Sequence, residues 1–149
     1  MEKLTLYRKP FSGDPAKDRH KFIGGSDVGT IMNVNPWKSQ YEIWLEKTAQ
    51  LEPDDISDKL QVWFGTEEEE IVAKRFCLET GKSVRRSNMT YLCKEYPFLA
   101  GHVDRMVVGE NAGLECKTTS AWNKTAYQDG EIPPQYYWQC MHYMMLTGC

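Results

Sequence analysis

An aspartate, a glutamate and a lysine close together on a short stretch can cut a phosphodiester. Asp104, Glu115 and Lys117 fall in residues 101–119, which read GHVDRMVVGENAGLECKTT. A phosphodiester repels anionic nucleophiles. Two carboxylates can hold Mg²⁺, a hard cation that prefers oxygen ligands and keeps several waters. A metal so held polarises a phosphoryl oxygen and lowers the pKa of a bound water. The lysine can position that water, help deprotonate it, or stabilise developing negative charge. The same residues also fit a surface hairpin carrying a cross-strand ion pair.

Two strands and a turn must position this trio. Val103, Met106, Val107 and Val108 supply an apolar run, and residues 109–113 (GENAG) form a turn cluster. Residues 114–119 read as the second strand. Alternation along it puts Glu115 and Lys117 on one face and lets Asp104 meet them across the hairpin. Cys116 alternates with them, so its side chain should face the core while its carbonyl lies near the site.

The flanks supply further candidates. Residues 1 to about 15, with Pro10, Gly13 and Pro15, read as an irregular or partly extended lead-in. Ser26 follows Gly24 and Gly25 as an N-cap for a helix through Val28, Ile31 and Met32. Ser26, the helix N-terminus and Arg19 together fit a phosphate pocket, or simply a capped helix. Asn33 to Trp37 break that helix. Ser39 and Glu42 form a capping box for the next, which ends near Ala49. A third helical region starts at residues 53–55, with Leu60, Trp63 and Phe64 on one face, and Gly65 interrupts it. Thr66 opens a helix closed by Gly81; its glutamates 67–70 suit the positive end of a helix dipole, and one could point inward to a metal. Short strands follow around Val84 and from Met89 to Leu92. Beyond Thr119 a polar loop with Trp122, Lys124 and Gly130 leads to a helix from about Gln135 to Leu146. There Gln139 sits on a mostly aromatic stripe with Tyr136 and Tyr143. A buried amide needs partners, so Gln139 is expected to face a polar site.

Composition narrows the class. With 149 residues, 41% hydrophobic, the chain should form one globular domain spanning 1–149. The sheet should be central and mixed, of about four or five strands flanked by helices, an α/β fold. A helix ending at Leu146 would usually pass into another strand, so the chain reads as a candidate fragment missing its last strand and helix. A net charge of −3 argues against a generally basic surface, so nucleic acid would be met by local patches and a metal. No apolar run is long enough for a membrane span, so a soluble, cytoplasmic protein is expected. Five cysteines, an odd number without a CxxC pair, argue against a disulfide framework and against a zinc or iron–sulfur site.

Four segments in order resemble the YqaJ-type viral recombinases, phage exonucleases related to lambda exonuclease within the PD-(D/E)xK superfamily. They are Arg19 with Ile23 to Asp27; Gly65 with Glu69; Asp104 with Glu115, Cys116 and Lys117; and Tyr136 with Gln139. The resemblance spans roughly Arg19 to the C-terminus and implies a restriction-endonuclease-like core. It implies Asp104 and Glu115 as Mg²⁺ ligands (Mn²⁺ substituting), with the Cys116 carbonyl as a third and Glu69 reaching the metal directly or through water. Lys117 would act on the attacking water, and Gln139 would orient Lys117 or the water. Arg19 and Ser26 would hold a 5′-phosphate, and His102 would lie near the scissile strand.

The implied activity is Mg²⁺-dependent digestion of one strand of linear duplex DNA from the 5′ end, giving 3′ single strands for phage recombination. The implied setting is the host cytoplasm, with DNA ends and a single-strand-annealing recombinase as partners and a homo-oligomeric ring as the assembly. Two alternatives remain: a structure-specific or restriction-like endonuclease of the same superfamily, and a DNA-binding module with a degenerate site. The sequence departs from the family pattern at two positions. Val103 stands where the superfamily name has Pro, and Arg105 where Gly is frequent.

Overall fold

Why the chain folds as it does is clearest where local chemistry and packing agree. The computed structural model describes residues 4–10, 18–56 and 58–149, except for the side chains of Arg19 and residues 121–124. The expected lead-in, residues 1 to about 15, therefore divides. Residues 4–10 are described, whereas 1–3 and 11–17 lie outside the described residues, as do the side chains of Trp122 and Lys124. The chain falls into two compact units, one built from residues 1–52, 88–102 and 132–149, the other from 53–87 and 103–131.

The first unit holds the strands β1 (Leu6–Pro10), β3 (Met89–Cys93) and β4 (Ala100–Gly101), in the order β1-β3-β4. Both pairings are antiparallel, with Leu6 opposite Cys93 and Tyr91 opposite Gly101. β1 lies where an irregular lead-in was expected. Pro10 ends an edge strand, where a missing N–H costs no ladder bond on the open side. The central strand β3 buries Tyr91, Leu92 and Cys93.

Three helices complete this unit: α1 (Gly25–Ile31), α2 (Gln40–Lys47) and α4 (Pro134–Thr147). The capping box of α2 forms as its sequence predicts: Ser39 Oγ accepts from Glu42 N, and the Glu42 carboxylate accepts from Ser39 N at 2.7 Å. Pro134 opens α4 and Gly148 closes it at φ 74°, the expected asymmetry of helix ends. α1 and α4 approach closely at Gly29, where a Cβ would stand 2.8 Å from Gln135 Cβ. His142 on α4 is buried and lies 2.9 Å from the Ala100 carbonyl. Burial lowers its pKa, favouring the neutral ring, whose Nε2–H donates to that carbonyl.

The second unit carries α3 (Leu60–Thr80) and the strands β2 (Val84–Arg86), β5 (Arg105–Val107) and β6 (Gly113–Leu114), in the order β2-β5-β6. α3 corrects three expectations. It runs unbroken through Gly65, because one interior glycine costs only about 1 kcal/mol against alanine. It starts at Leu60, so glutamates 67–70 stand mid-helix and the dipole at the N-terminus does not account for them. Residues 53–55, where a helical region was expected to start, are not helical, and Leu60, Trp63 and Phe64 are exposed. Gly81, at φ 70°, closes the helix as expected, its N–H reaching the Cys77 carbonyl. 3₁₀ turns span Ala121–Gly130, broken by a kink at Gln128 and Asp129, where a polar loop was expected.

The α/β class holds: helices and β-sheet make up both units. The sheet itself differs from the one central mixed sheet expected. Among the described residues, six strands form two antiparallel sheets of three, and parallel pairing is confined to an isolated bridge between Ile23 and Leu99. Short connections join β3 to β4 and β5 to β6, which favours antiparallel neighbours there. Among the described residues no helix is long and apolar enough to cross a membrane.

Candidate active site

The hairpin β5–β6 sets the register of the site. Arg105 pairs with Leu114 and Met106 with Gly113, closed by a turn in which Gly109 takes φ 82°. Residue 104 is thereby brought opposite residues 115–116. Asp104 sits at the bend before β5, and its Oδ2 accepts the Cys116 N–H at 2.8 Å. The regular strand stops at Leu114, so Glu115 and Lys117 lie just beyond β6 rather than on it. They still share a side, with Lys117 Nζ 2.7 Å from Glu115 Oε1.

Electrostatics mark this corner. Burial pushes the Glu115 carboxyl up to about 7; the Asp104 and Glu69 charges push the same way, and Lys117 opposes them. Burial also raises Asp104, with Glu69 adding to it and the Cys116 amide opposing. The Cys116 thiol, raised by burial to about 11, stays protonated at neutral pH, so its backbone is the useful part. A cleft of about 240 Å³ opens here, lined in part by Gly65, Thr66, Glu69, Asp104, Cys116 and Lys117.

The residues at this corner fit a divalent cation in one respect. Asp104 and Glu115 are half-buried carboxylates, and Glu115 resists ionising beside Asp104; a bound cation would relieve that crowding. The set is small, however. Among the described residues no group of three or more His, Cys, Asp or Glu side chains is arranged to hold a metal ion. Glu69 is engaged elsewhere: its carboxylate forms an ion pair with the Arg105 guanidinium.

Arg105 is the residue that sequence reasoning passed over as a mere departure. It is 3% exposed and donates to Glu69, to the Asp104 carbonyl at 2.9 Å and to Glu70 Oε2 at 3.1 Å. Its parity was the available signal, since Val103 and Val107, two residues away on either side, are also buried.

The structure thus brings Glu69, Asp104, Glu115, Cys116 and Lys117 together in the second unit. The other four candidates belong to the first. Arg19 lies in a 3₁₀ turn, Arg19–Lys21, and its guanidinium is outside the described residues. Ser26 is not the N-cap of α1. Gly24 is, and Asp27 Oδ2 accepts the Gly24 N–H at 2.8 Å, so Ser26 is an exposed residue of the first turn. The helix begins at Gly25, so the serine stands inside the first turn and not at the cap position. The His102 ring is exposed, with Nε2 3.0 Å from Thr90 Oγ1. Gln139 is buried, as its place on the aromatic stripe implied, and its Nε2 donates to the Tyr143 hydroxyl at 3.0 Å.

This fold is that of an alkaline exonuclease. The structure of the Laribacter hongkongensis alkaline exonuclease LHK-Exo matches with a TM-score of 0.65 and 21% identity, over 89% of this chain and 66% of that one. LHK-Exo in complex with dAMP matches at 0.68, also at 21% identity, over 89% and 67%. The chain belongs to the YqaJ-like viral recombinase domain family, whose model covers residues 16–149. A Bacillus subtilis (strain 168) relative, called uncharacterized protein YqaJ, is 47% identical over 131 residues, 88% of this chain. The chain spans 41% of that relative's length.

Proposed function

We propose that this chain is the nuclease domain of an Mg²⁺-dependent deoxyribonuclease that digests one strand of linear duplex DNA from the 5′ end. The observation that carries this reading is one cleft lined by Asp104, Cys116 and Lys117, with Asp104 tied to the Cys116 amide and Glu115 paired with Lys117. Asp104 and Glu115, with the Cys116 carbonyl, would hold Mg²⁺, and Mn²⁺ would substitute. The bound ion supplies Lewis acidity and a more acidic water. Lys117, held by Glu115, orients the attacking water and stabilises charge developing on the phosphoryl oxygens. Arg19 and Ser26 hold the 5′-phosphate of the substrate end, and His102 meets the DNA. Family membership supports the role in recombination: the 3′ single strands would pass to a single-strand-annealing protein in the host cytoplasm, the nuclease working as a homo-oligomeric ring.

The test uses linear duplex labelled separately at its 5′ and 3′ ends, beside a covalently closed circle, with Mg²⁺. The reading expects loss of the 5′ label first and an intact circle. A circle cut as readily as the linear duplex would favour a restriction-like endonuclease instead.

A further inference from the structure

We propose that Tyr143 is a positioning residue for the DNA end: its ring supports the backbones of Gly25 and Gly101 and so fixes the spacing of Ser26 and His102, the residues that follow them. This rests on the reading above, in which Arg19 and Ser26 hold a 5′-phosphate and His102 meets the DNA, and deepens it. All the residues concerned belong to the first unit.

Two glycines lie against one ring. A Cβ at Gly25 would stand 2.5 Å from Tyr143 Cε1 and Cζ and 2.7 Å from the hydroxyl oxygen, closer than real Cβ contacts come. A Cβ at Gly101 would stand 3.1 Å from Cδ1 of the same ring and 3.0 Å from Leu146 Cδ1. The bare backbones at the start of α1 and the end of β4 therefore rest directly on Tyr143. Both glycines are buried, whereas Ser26 and His102, next in the chain, are exposed. One stiff ring thus underlies two segments that each present a polar side chain to solvent.

The ring and the segments are themselves held. Gln139, buried one turn earlier on α4, donates from Nε2 to the Tyr143 hydroxyl at 3.0 Å. Before Gly25 the chain is clamped by a half-buried ion pair. Lys47 Nζ lies 2.7 Å from Asp27 Oδ2 and donates to the Phe22 carbonyl at 2.6 Å, and the same Asp27 oxygen accepts the Gly24 N–H. The Ile23 N–H donates to the Phe98 carbonyl at 2.7 Å, and the Ile23 carbonyl accepts the Ala100 N–H at 3.1 Å. Ser26 and His102 therefore belong to segments that are bonded to each other and seated on a single side chain. A spacing fixed in this way matters because a contact misplaced by about 1 Å loses much of its value.

The test measures binding of the metal-free chain to a short duplex carrying either a 5′-phosphate or a 5′-hydroxyl, by fluorescence anisotropy, so it does not depend on turnover. The wild type should prefer the phosphate by about tenfold or more. Tyr143→Phe keeps the ring and should keep that preference within about threefold of the wild type. Tyr143→Met replaces the ring with a flexible chain and should cut the preference to below about threefold, while affinity for the 5′-hydroxyl duplex stays within about twofold. Gly25→Ala pushes a Cβ into the ring and should lose the preference to the same degree. In the double variant the two losses should not add, since both act through one contact. A ring that only supports the fold predicts a lower melting temperature in Tyr143→Met with the preference unchanged, and that result would overturn the proposal while leaving the phosphate reading intact. Loss of the preference in Tyr143→Phe would place the effect in the hydroxyl and overturn it too, even if the other variants fail to fold. No preference in the wild type would overturn the phosphate reading and the proposal together.

Discussion

Asp104 Oδ2 accepts the backbone N–H of Cys116 at 2.8 Å, tying the bend before β5 to the segment that carries Glu115 and Lys117. One carboxylate is thus structural through one oxygen, and in the proposed function it would also bind the cation through its charge. The two duties separate by substitution. Asp104→Asn keeps an oxygen acceptor for the amide, so the metal-free chain should melt close to the wild type while Mn²⁺ binding is lost. Asp104→Ala leaves a half-buried N–H without an acceptor, so it should also lose about 1–3 kcal/mol of stability. Thermal melting in the absence of divalent ions checks the difference.

The Glu115 carboxyl stands at about 7 against its ordinary 4.5, first because it is buried and then because Asp104 and Glu69 repel its charge. Between those values the folded chain keeps a proton that the unfolded chain releases. Its stabilising contribution is therefore full below pH 4.5 and is lost as pH rises through about 7. The metal-free wild type should accordingly lose more stability from pH 5 to pH 8 than Glu115→Gln, whose neutral amide has nothing to release. His142 works in the opposite direction: its lowered pKa makes the chain lose stability as pH falls below the ordinary 6.5. The wild-type-minus-variant difference in melting temperature cancels the histidine contribution, and equal profiles for the two proteins would contradict the assignment.

Two glycines should respond to alanine in opposite ways. At Gly29 a Cβ would stand 2.8 Å from Gln135 Cβ and 3.0 Å from its Cα, so helices α1 and α4 would have to move apart. Gly29→Ala should cost about 1–3 kcal/mol, the usual range for overpacking. At Gly65 the nearest atom to a new Cβ is Thr118 Oγ1 at 3.7 Å, an ordinary contact inside an unbroken helix. Gly65→Ala should stabilise by up to about 1 kcal/mol. Urea midpoints for both variants test the pair.

Much of this was legible in the residues, for reasons that differ from place to place. The turn at 109–113 between apolar runs marked the hairpin, and its register follows once Gly109 takes a positive φ. Ser39 with Glu42, Gly81, and Pro134 with Gly148 are local signals that nothing in the packing overrides. Where the structure differs from the sequence expectation, packing or a competing cap decided. Gly65 breaks a helical pattern on paper, yet its cost is small beside the continuity of 21 residues. Ser26 is a good cap by type, but the helix already begins at Gly25 with Gly24 as its cap. The strand β1 carries Arg8, Lys9 and Pro10, which disguise an edge strand as a loop. In the site, Asp104, Glu115 and Lys117 were legible because they are close in sequence. Arg105 was hidden because its partners, Glu69 and Glu70, lie about 35 residues away, a separation that no short-range pattern reveals.

Digestion of linear duplex DNA with Mg²⁺ by the wild type, Lys117→Ala and Glu115→Ala tests the proposed nuclease site most directly. The wild type should degrade the duplex, and each variant should be slower by about a hundredfold or more, the scale set by removing one preorganised charge from a reaction centre. Equal rates for all three proteins would contradict it.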